Sequence, residues 1–243
     1  MTFINIIKGG WNGLLDLFYP PLCCSCGSRL ASNKDIICDN CLNQLPKTEM
    51  ADHRDNSVEN LFWDIKKFDK GGSFCYYTSN FRNIIHHFKY KNQPQIGVFL
   101  GELAGKEFDK KGFFEGIDII VPIPLHKKRL KQRGFNQAEE IAIGLSKSTS
   151  IPMDNQHLYR TRDNETQTQK TAAERAKNTI NLFAVNNPQQ WRGKHILLVD
   201  DIITTGATMR AAIAAITPIR QTKISVFTLG CARQQNNSPI AYL

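Results

Sequence analysis

No apolar run in this chain approaches the ~20 residues that a bilayer-spanning helix needs, so a transmembrane helix is not expected. The opening stretch, MTFINIIKGGWNGLLDLFYPPLCC, is apolar, but it lacks a basic leading region and an A-x-A cleavage site. Gly9 and Gly10 also divide it, which argues against a secretory leader. Instead Phe3, Ile6, Ile7, Trp11, Leu14, Leu15 and Phe18 recur at helical spacing. That predicts an amphipathic helix ending before Pro20 and Pro21 and docked on the body of the protein. Its polar face is not notably basic, which disfavours a membrane-surface role. There is no internal repeat and no low-complexity tract. Acidic residues are in short supply, 22 against 31 lysines and arginines, leaving a net charge of +9. Such a surplus suits nucleic acid, anionic lipid or phosphorylated small molecules, or merely solvates the surface, and composition does not choose among these. The 243 residues, 41% hydrophobic and 22% charged, allow one medium folded domain with a small appendage.

Cysteine is sparse except in one place. Five of the seven cysteines lie between residues 23 and 41. Cys23-x-x-Cys26 and Cys38-x-x-Cys41 form two knuckles separated by eleven residues. Each knuckle can aim two thiolates at one point, and two knuckles complete a tetrahedral tetrathiolate around Zn²⁺. Gly27 suits the tight turn of the first knuckle. The competing reading is a pair of disulfides, disfavoured in the reducing cytoplasm expected for a chain without a secretion signal. With all four ligands from protein, the zinc would be structural, fastening a segment that has too few apolar residues to fold unaided. Cys24 is out of register with the two-residue spacing, and Cys75 and Cys231 are apolar-flanked and read as buried core thiols.

Three regions follow: a zinc-ribbon-like module over 1–46, a polar connector over 47–70 and a body over 71–243. In the body, Ser73–Thr78 reads as a strand, and Phe81, Ile84, Ile85 and Phe88 mark a helix. That helix ends in HHFKYKN, where Lys89 and Lys91 face either an anionic ligand or water, Lys89 lying nearer the apolar stripe. From Ile117 onward strand and helix alternate. IDIIVPIP is a short buried strand, and Ala138, Ile141, Ala142 and Leu145 give a helix. ILLV at 196–199 is a second buried strand, followed by a helix bearing Met209, Ala212, Ile213 and Ile216. ISVFTL at 224–229 is a last strand. This pattern predicts an α/β fold, a parallel sheet flanked by helices with ligands at the carboxyl ends of the strands.

The most informative run is Val199-Asp200-Asp201-Ile202-Ile203-Thr204-Thr205-Gly206-Ala207-Thr208. Two carboxylates at a strand end can accept hydrogen bonds from the vicinal hydroxyls of a ribose. The loop Thr204–Thr208 can wrap a phosphate with backbone N–H groups and hydroxyls at the positive end of the next helix. Gly206 lets the backbone approach closely. Either half alone has a plainer reading, a metal-binding acid pair or a helix cap. In this order they closely resemble the phosphoribosyl pyrophosphate signature of the type I phosphoribosyltransferases.

Pro122–Gln137 is densely cationic and opens a helix. Its P-L-x-x-x-R-L-x-x-R-G-F-N-Q pattern, from Pro124 to Gln137, resembles the hallmark of the ComF family, and the likeness runs from the cysteine knuckles to the last strand. Several expectations follow from that resemblance. The fold is the type I phosphoribosyltransferase fold with a small N-terminal zinc-binding module. Phosphoribosyl pyrophosphate is the ligand, bound by Asp200, Asp201, Thr204, Thr205, Gly206, Ala207, Thr208, Arg133 and Lys89, with Mg²⁺ on its pyrophosphate and ribose oxygens. The polar segment 160–178 holds the loop that closes over the substrate. Its R…Q…R layout, Arg160, Gln167 and Arg175, supplies the candidate catalytic residues, and Asn164 stands where many members have Thr; a plain charged helix over Thr171–Asn178 is the alternative. The reaction would displace pyrophosphate from ribose C1, and no general base stands out, since His126 is a lone histidine in a basic stretch. Thr2 in place of a nucleophilic cysteine disfavours glutamine-dependent chemistry. The family's association with DNA uptake adds single-stranded DNA and the competence machinery as partners, through Lys and Arg and the aromatics Phe88, Tyr90 and Phe135. A ligand sensor without catalysis is the rival reading.

Overall fold

The computed structural model describes residues 20–32, 35–161 and 182–232. The helix expected over residues 3–18, and Gln167, Arg175 and the rest of the 162–181 segment, lie outside them.

Four strands form one parallel sheet in the order β1-β6-β5-β2. They are β1 (Phe68–Tyr76), β2 (Ile119–Pro122), β5 (His195–Ile203) and β6 (Lys223–Cys231). β3 (Leu158–Arg160) and β4 (Phe183–Val185) pair antiparallel in a separate ribbon. The apolar run ILLV sits at the centre of the sheet because it is buried on both faces, as β5 pairs with β2 on one side and β6 on the other. The registers Tyr76↔Cys231, Ile203↔Cys231 and Pro122↔Val199 bring the carboxyl ends of the strands to one edge. That edge is where an open α/β sheet leaves room for a ligand.

Two apolar clusters sandwich the sheet. One holds Phe81, Ile85 and Phe88 of helix α2 (Ser79–Tyr90), Leu100 and Phe108 of α3 (Gln95–Asp109), Ile141 and Leu145 of α5 (Gln137–Thr149), and Leu197, Val199 and Phe227 of the sheet. The other holds Phe62, Trp191, Leu198, Val226, and Met209 and Ile213 of α6 (Ala207–Ile216). Alternation along β5 divides the strand between them: Leu197 and Val199 face the first cluster, Ile196 and Leu198 the second.

Helix α3 has no counterpart among the sequence expectations. It packs on α5 with almost no side-chain gap, because a Cβ on Gly101 would stand 2.4 Å from the Ile141 carbonyl and one on Gly144 2.2 Å from the Val98 carbonyl. Only glycine permits that approach.

The cationic stretch after β2 is not an open loop. Residues Lys127–Arg133 form helix α4, started by His126, whose Nδ1 accepts the Lys128 amide. This gives the lone histidine a structural cap.

The N-terminal segment is continuous with the body. Its helix α1 (Asp39–Asn43) is short, and Cys23, Cys24, Leu30, Ile37 and Leu45 join the first cluster. Asn83 of α2 donates to the Ser25 carbonyl at 3.1 Å. Residues 46–48 then pair along β1: Tyr76 N–H donates to Pro46 O and Thr48 N–H to Phe74 O. The 47–70 stretch, read above as a polar connector, is thus packed. Val58 and Phe62 are buried, and Glu59 accepts from the amides of Asp55 and Gly71.

Candidate functional site

β5 ends in Asp200 and Asp201, and the chain turns at Thr204 and Thr205 into α6. Gly206 occupies the position before the helix with φ of +73°, which an L side chain rarely adopts. The first intrahelical bond runs from Arg210 N–H to Gly206 O. The amides of Ala207, Thr208 and Met209 are therefore left at the positive end of the helix dipole, and among the described residues no side chain caps them. Among the described residues, no backbone acceptor takes the N–H groups of Thr204 and Thr205 either. Thr204, Thr205, Ala207 and Thr208 are exposed while Gly206 is buried. The loop is held from below: a Cβ on Gly206 would lie 3.2 Å from the Phe62 ring. Arg210 grips Asp64 through two contacts of 3.1 and 2.6 Å.

The two acids are treated unequally. Asp201, on the α2 side of the strand, meets Lys89 Nζ with its Oδ2 at 2.8 Å, both side chains largely buried. Asp200, half-buried, accepts the Asp201 amide on Oδ1 at 2.8 Å. Burial first, then the neighbouring Asp201 charge, pushes the Asp200 carboxyl up to about 7, against the pull of the Asp201 amide, Lys89 and Arg160. Asp200 Oδ2 and Asp201 Oδ1 have no hydrogen-bond partner among the described residues. A hydroxyl donor would supply what these oxygens lack.

Lys89 also lines a hollow of about 420 Å³ shared with Tyr90, Asn92, Lys131, Gln132, Arg133 and Gly134. Three cations border it, and no carboxylate stands among its lining residues. The Arg133 guanidinium sits 5.5 Å over the Tyr90 ring and donates to Gln137 Oε1 at 2.8 Å. Arg160, at the end of β3, lies 5.7 Å over the Phe183 ring, and its charge reaches Asp200. Thus Asp200, Asp201, the Thr204–Thr208 loop, Lys89, Arg133 and Arg160 gather at the carboxyl edge of the sheet.

Two expectations need correction. Phe88 is fully buried and Phe135 is 9% exposed, stacked on one another at 5.6 Å, so neither offers a free ring face. Tyr90, at 61%, is the exposed one of the three. Sequence reasoning also missed the support under the loop. Phe62 lay in the apolar triplet Leu61-Phe62-Trp63 of an otherwise polar stretch, a usable signal, whereas nothing marked Asp64 as a partner of Arg210.

The Sγ atoms of Cys23, Cys26, Cys38 and Cys41 all lie within 4.8 Å of one another. A tetrahedron with Zn–S bonds of about 2.3 Å has edges of about 3.8 Å, and Cys26 and Cys38 stand 3.8 Å apart. The Cys38 amide donates to Cys23 Sγ at 3.3 Å, the kind of bond that steadies a thiolate. The donor set fits a four-sulfur metal site. Cys24 is buried outside it, and burial first pushes its thiol up to about 12. Cys75 and Cys231 are buried as expected.

Comparison with known proteins bears on the fold and the family. The phosphoribosyl transferase domain model matches residues 89–241. Competence protein ComFC of Bacillus subtilis (strain 168) is 30% identical over 214 residues, covering 86% of this chain and 83% of that protein. Competence protein F of Haemophilus influenzae is 27% identical over 203 residues, 79% of this chain and 89% of that one. DNA utilization protein YhgH of Escherichia coli O157:H7 is 29% identical over 189 residues, 76% and 80% of the two chains. Among solved structures, the glutamine phosphoribosylpyrophosphate amidotransferase of B. subtilis, complexed with ADP and GMP, is 20% identical with a TM-score of 0.41. It aligns over 59% of this chain, which spans only 30% of that enzyme's length.

The parallel sheet with flanking helices, and a domain match over more than half of the chain, are those of a type I phosphoribosyltransferase fold. Within that class, the chain belongs to the ComF family.

Proposed function

We propose that this protein binds phosphoribosyl pyrophosphate at the carboxyl end of β5 and transfers its phosphoribosyl group to an acceptor, releasing pyrophosphate. One observation carries the reading. Uncapped amides at the start of α6 adjoin two half-satisfied acids, and Lys89 joins those acids to a cation-lined hollow. The amides and hydroxyls of Thr204, Thr205 and Thr208, with the amides of Gly206 and Ala207, hold the 5′-phosphate. Asp200 and Asp201 accept the ribose hydroxyls, and Arg133 and Lys89 face the pyrophosphate. In the reaction the C1–O bond to pyrophosphate breaks, a bond from C1 to the acceptor forms, and the acceptor's proton leaves to solvent. Mg²⁺ would be held by the pyrophosphate and ribose oxygens of the substrate beside Asp200 and Asp201, and would offset leaving-group charge. Arg160, with Gln167 and Arg175 beyond the described residues, stabilises the departing group and excludes water.

Calorimetry with phosphoribosyl pyrophosphate and Mg²⁺ tests this. Charge-assisted bonds contribute about 1.5–3 kcal/mol each, so the Asp200→Asn/Asp201→Asn variant should bind about a hundredfold or more weakly. Equal heats from wild type and variant would remove the assignment. Pyrophosphate release on addition of candidate acceptors then separates a transferase from a ligand sensor.

Cys23, Cys26, Cys38 and Cys41 hold a structural zinc that fastens the N-terminal segment to α2 and β1. Metal analysis should find about one equivalent of zinc, as expected for one four-sulfur site, and Cys38→Ser should lose it. Retention of the metal in that variant would move the site elsewhere.

The relatives named for competence and DNA utilization support linking this activity to DNA uptake, with the protein acting in the cytoplasm. Tyr90, exposed and flanked by Lys89, Lys91 and Arg133, favours a direct contact with single-stranded DNA by base stacking. The affinity should fall steeply with salt and by about fivefold or more in Tyr90→Ala, since base stacking contributes about 1–3 kcal/mol. Salt-independent binding, or an unchanged Tyr90→Ala, would dismiss that partner.

A further inference from the structure

We infer that Lys89 is a positioning residue that couples the two halves of the site, so that ribose 5-phosphate and pyrophosphate each strengthen the binding of the other. This rests on the phosphoribosyl reading above and adds to it the route by which the halves communicate. Lys89 is on the last turn of α2, and its neighbours Ile85 and Phe88 are buried at 1% and 0%, which fixes the helix on the sheet. Its ammonium is 2.8 Å from Asp201 Oδ2, with the two side chains 21% and 13% exposed. The same side chain forms a wall of the 420 Å³ hollow that Arg133 and Lys131 also border. One cation therefore belongs to two sites that are otherwise built from different elements. The acid end comes from β5 and the α6 start, and the rest of the hollow from the end of α2 with Asn92 and from α4 with Gly134.

The sign of the coupling follows from the donor count. An ammonium has three N–H groups and no acceptor. A single bond to Asp201 leaves the others for an anion in the hollow, so a pyrophosphate oxygen need not take Lys89 away from the acid. A ribose whose hydroxyl donates to Asp201 Oδ1 leaves Oδ2 on Lys89 and holds that carboxylate, and with it the ammonium, in place. A pyrophosphate does the same from the other side. A ribose hydroxyl on Oδ1 draws charge from Oδ2 and leaves the ammonium freer for the anion, while an anion on the ammonium leaves Asp201 the better acceptor, so each ligand strengthens the charge-assisted bond of the other. Linkage makes the effect reciprocal. A lysine serving only as a general attractant for anions would strengthen both halves independently and give no coupling.

The test measures affinity for ribose 5-phosphate by calorimetry, with and without saturating inorganic pyrophosphate, at fixed Mg²⁺, and then the reverse titration. Wild type should bind each probe about tenfold more tightly in the presence of the other, the lower end of what one charge-assisted bond contributes. Lys89→Met should bring that ratio close to one, and Lys89→Arg should restore most of it. Removal of the ammonium leaves Asp201 buried beside Asp200 without its cation, so Lys89→Met/Asp201→Asn provides a second, charge-balanced variant in which the ratio should also fall to about one. A tenfold ratio surviving in Lys89→Met would overturn the inference, as would a ratio of one in wild type while both probes bind. Failure of both probes to bind wild type would instead remove the phosphoribosyl reading on which it rests.

Discussion

Strand β5 carries ionisable groups at both ends, and the two ends are built in opposite ways. At its start, His195 has every polar atom engaged. Its amide donates to Asp118 Oδ2 at 2.7 Å, Nδ1 lies 3.1 Å from the Gly116 carbonyl, and Nε2 lies 2.8 Å from Ser225 Oγ. A carbonyl only accepts, so Nδ1 carries the proton, and in the neutral ring that burial favours, Nε2 takes the Ser225 hydroxyl. Ser225 is fully buried, so this histidine and serine, with Asp69 3.7 Å away, form no accessible nucleophile. At the far end, five residues or about 16 Å along an extended strand, the acids are held with an oxygen each unengaged, and a helix start uncapped, among the described residues. Polar groups serve the fold where all their bonds are closed, and they are available to a ligand where the fold leaves bonds open and tolerates the instability.

The largest effect that would sharpen this contrast is on stability at the acid end. Asp200 has a folded-state pKa of about 7, raised from 3.8 first by burial and then by Asp201. A raised pKa means that the group's favourable contribution is complete below its unfolded value and lost as pH rises through about 7. Asp200→Asn, which cannot ionise, should therefore be more stable than wild type at pH 8, on the order of a few kcal/mol and roughly 5 °C or more in Tm. The advantage should shrink toward pH 4, while binding of phosphoribosyl pyrophosphate is lost. Thermal unfolding across that range checks it. An Asn variant less stable than wild type at pH 8 would mean that Asp200 stabilises the fold, and the contrast between the ends would fail.

How much of this was legible from the chain depends on how locally each feature is encoded. The central strand announces itself through four apolar residues, and the acids, threonines and Gly206 follow within a single run, so the turn from strand to helix and the proposal of a phosphate there could be read without the fold. The cysteine knuckles were equally local, since two C-x-x-C turns need only be brought together once. Lys89 could be suspected but its partner could not, because α2 and β5 meet only through the sheet. Phe88 and Phe135 were misplaced because an aromatic beside cations looks like a stacking platform until packing shows that both rings are in the core. Helix α3 was missed although Ile96, Leu100, Ala104 and Phe108 recur at helical spacing and are all buried. Gly97, Gly101 and Gly105 beside them form the bare stripe that lets α5 in, and in the bare sequence such glycines read as breaks in a helix.

The smaller effect lies at the histidine end and has the opposite pH dependence. Ser225→Ala leaves Nε2 of His195 buried without its donor, at a cost of about 1–3 kcal/mol near neutral pH. Ligand affinity should not change, since the site is at the other end of the strand. Burial, ahead of every other cause, lowers the His195 pKa in the wild type; Lys70 and Lys223 push the same way, while Asp69 and the Gly116 carbonyl oppose them. A depressed pKa means that stability is intact above the unfolded value near 6.5 and lost as pH falls, because the unfolded chain takes up the proton first. Losing the serine hydroxyl removes a bond that favours the neutral ring, so the variant protonates more readily with Asp69 nearby and loses less on acidification. Urea unfolding of both proteins at pH 7.5 and pH 5.5 should therefore show the deficit of the variant shrinking toward acid, whereas for Asp200→Asn it is the advantage of the variant that shrinks toward acid, so the two differences have opposite signs. A gap for Ser225→Ala that widens at pH 5.5 would mean that the hydroxyl stabilises the charged imidazolium, and the histidine would no longer be the closed counterpart of the open acids.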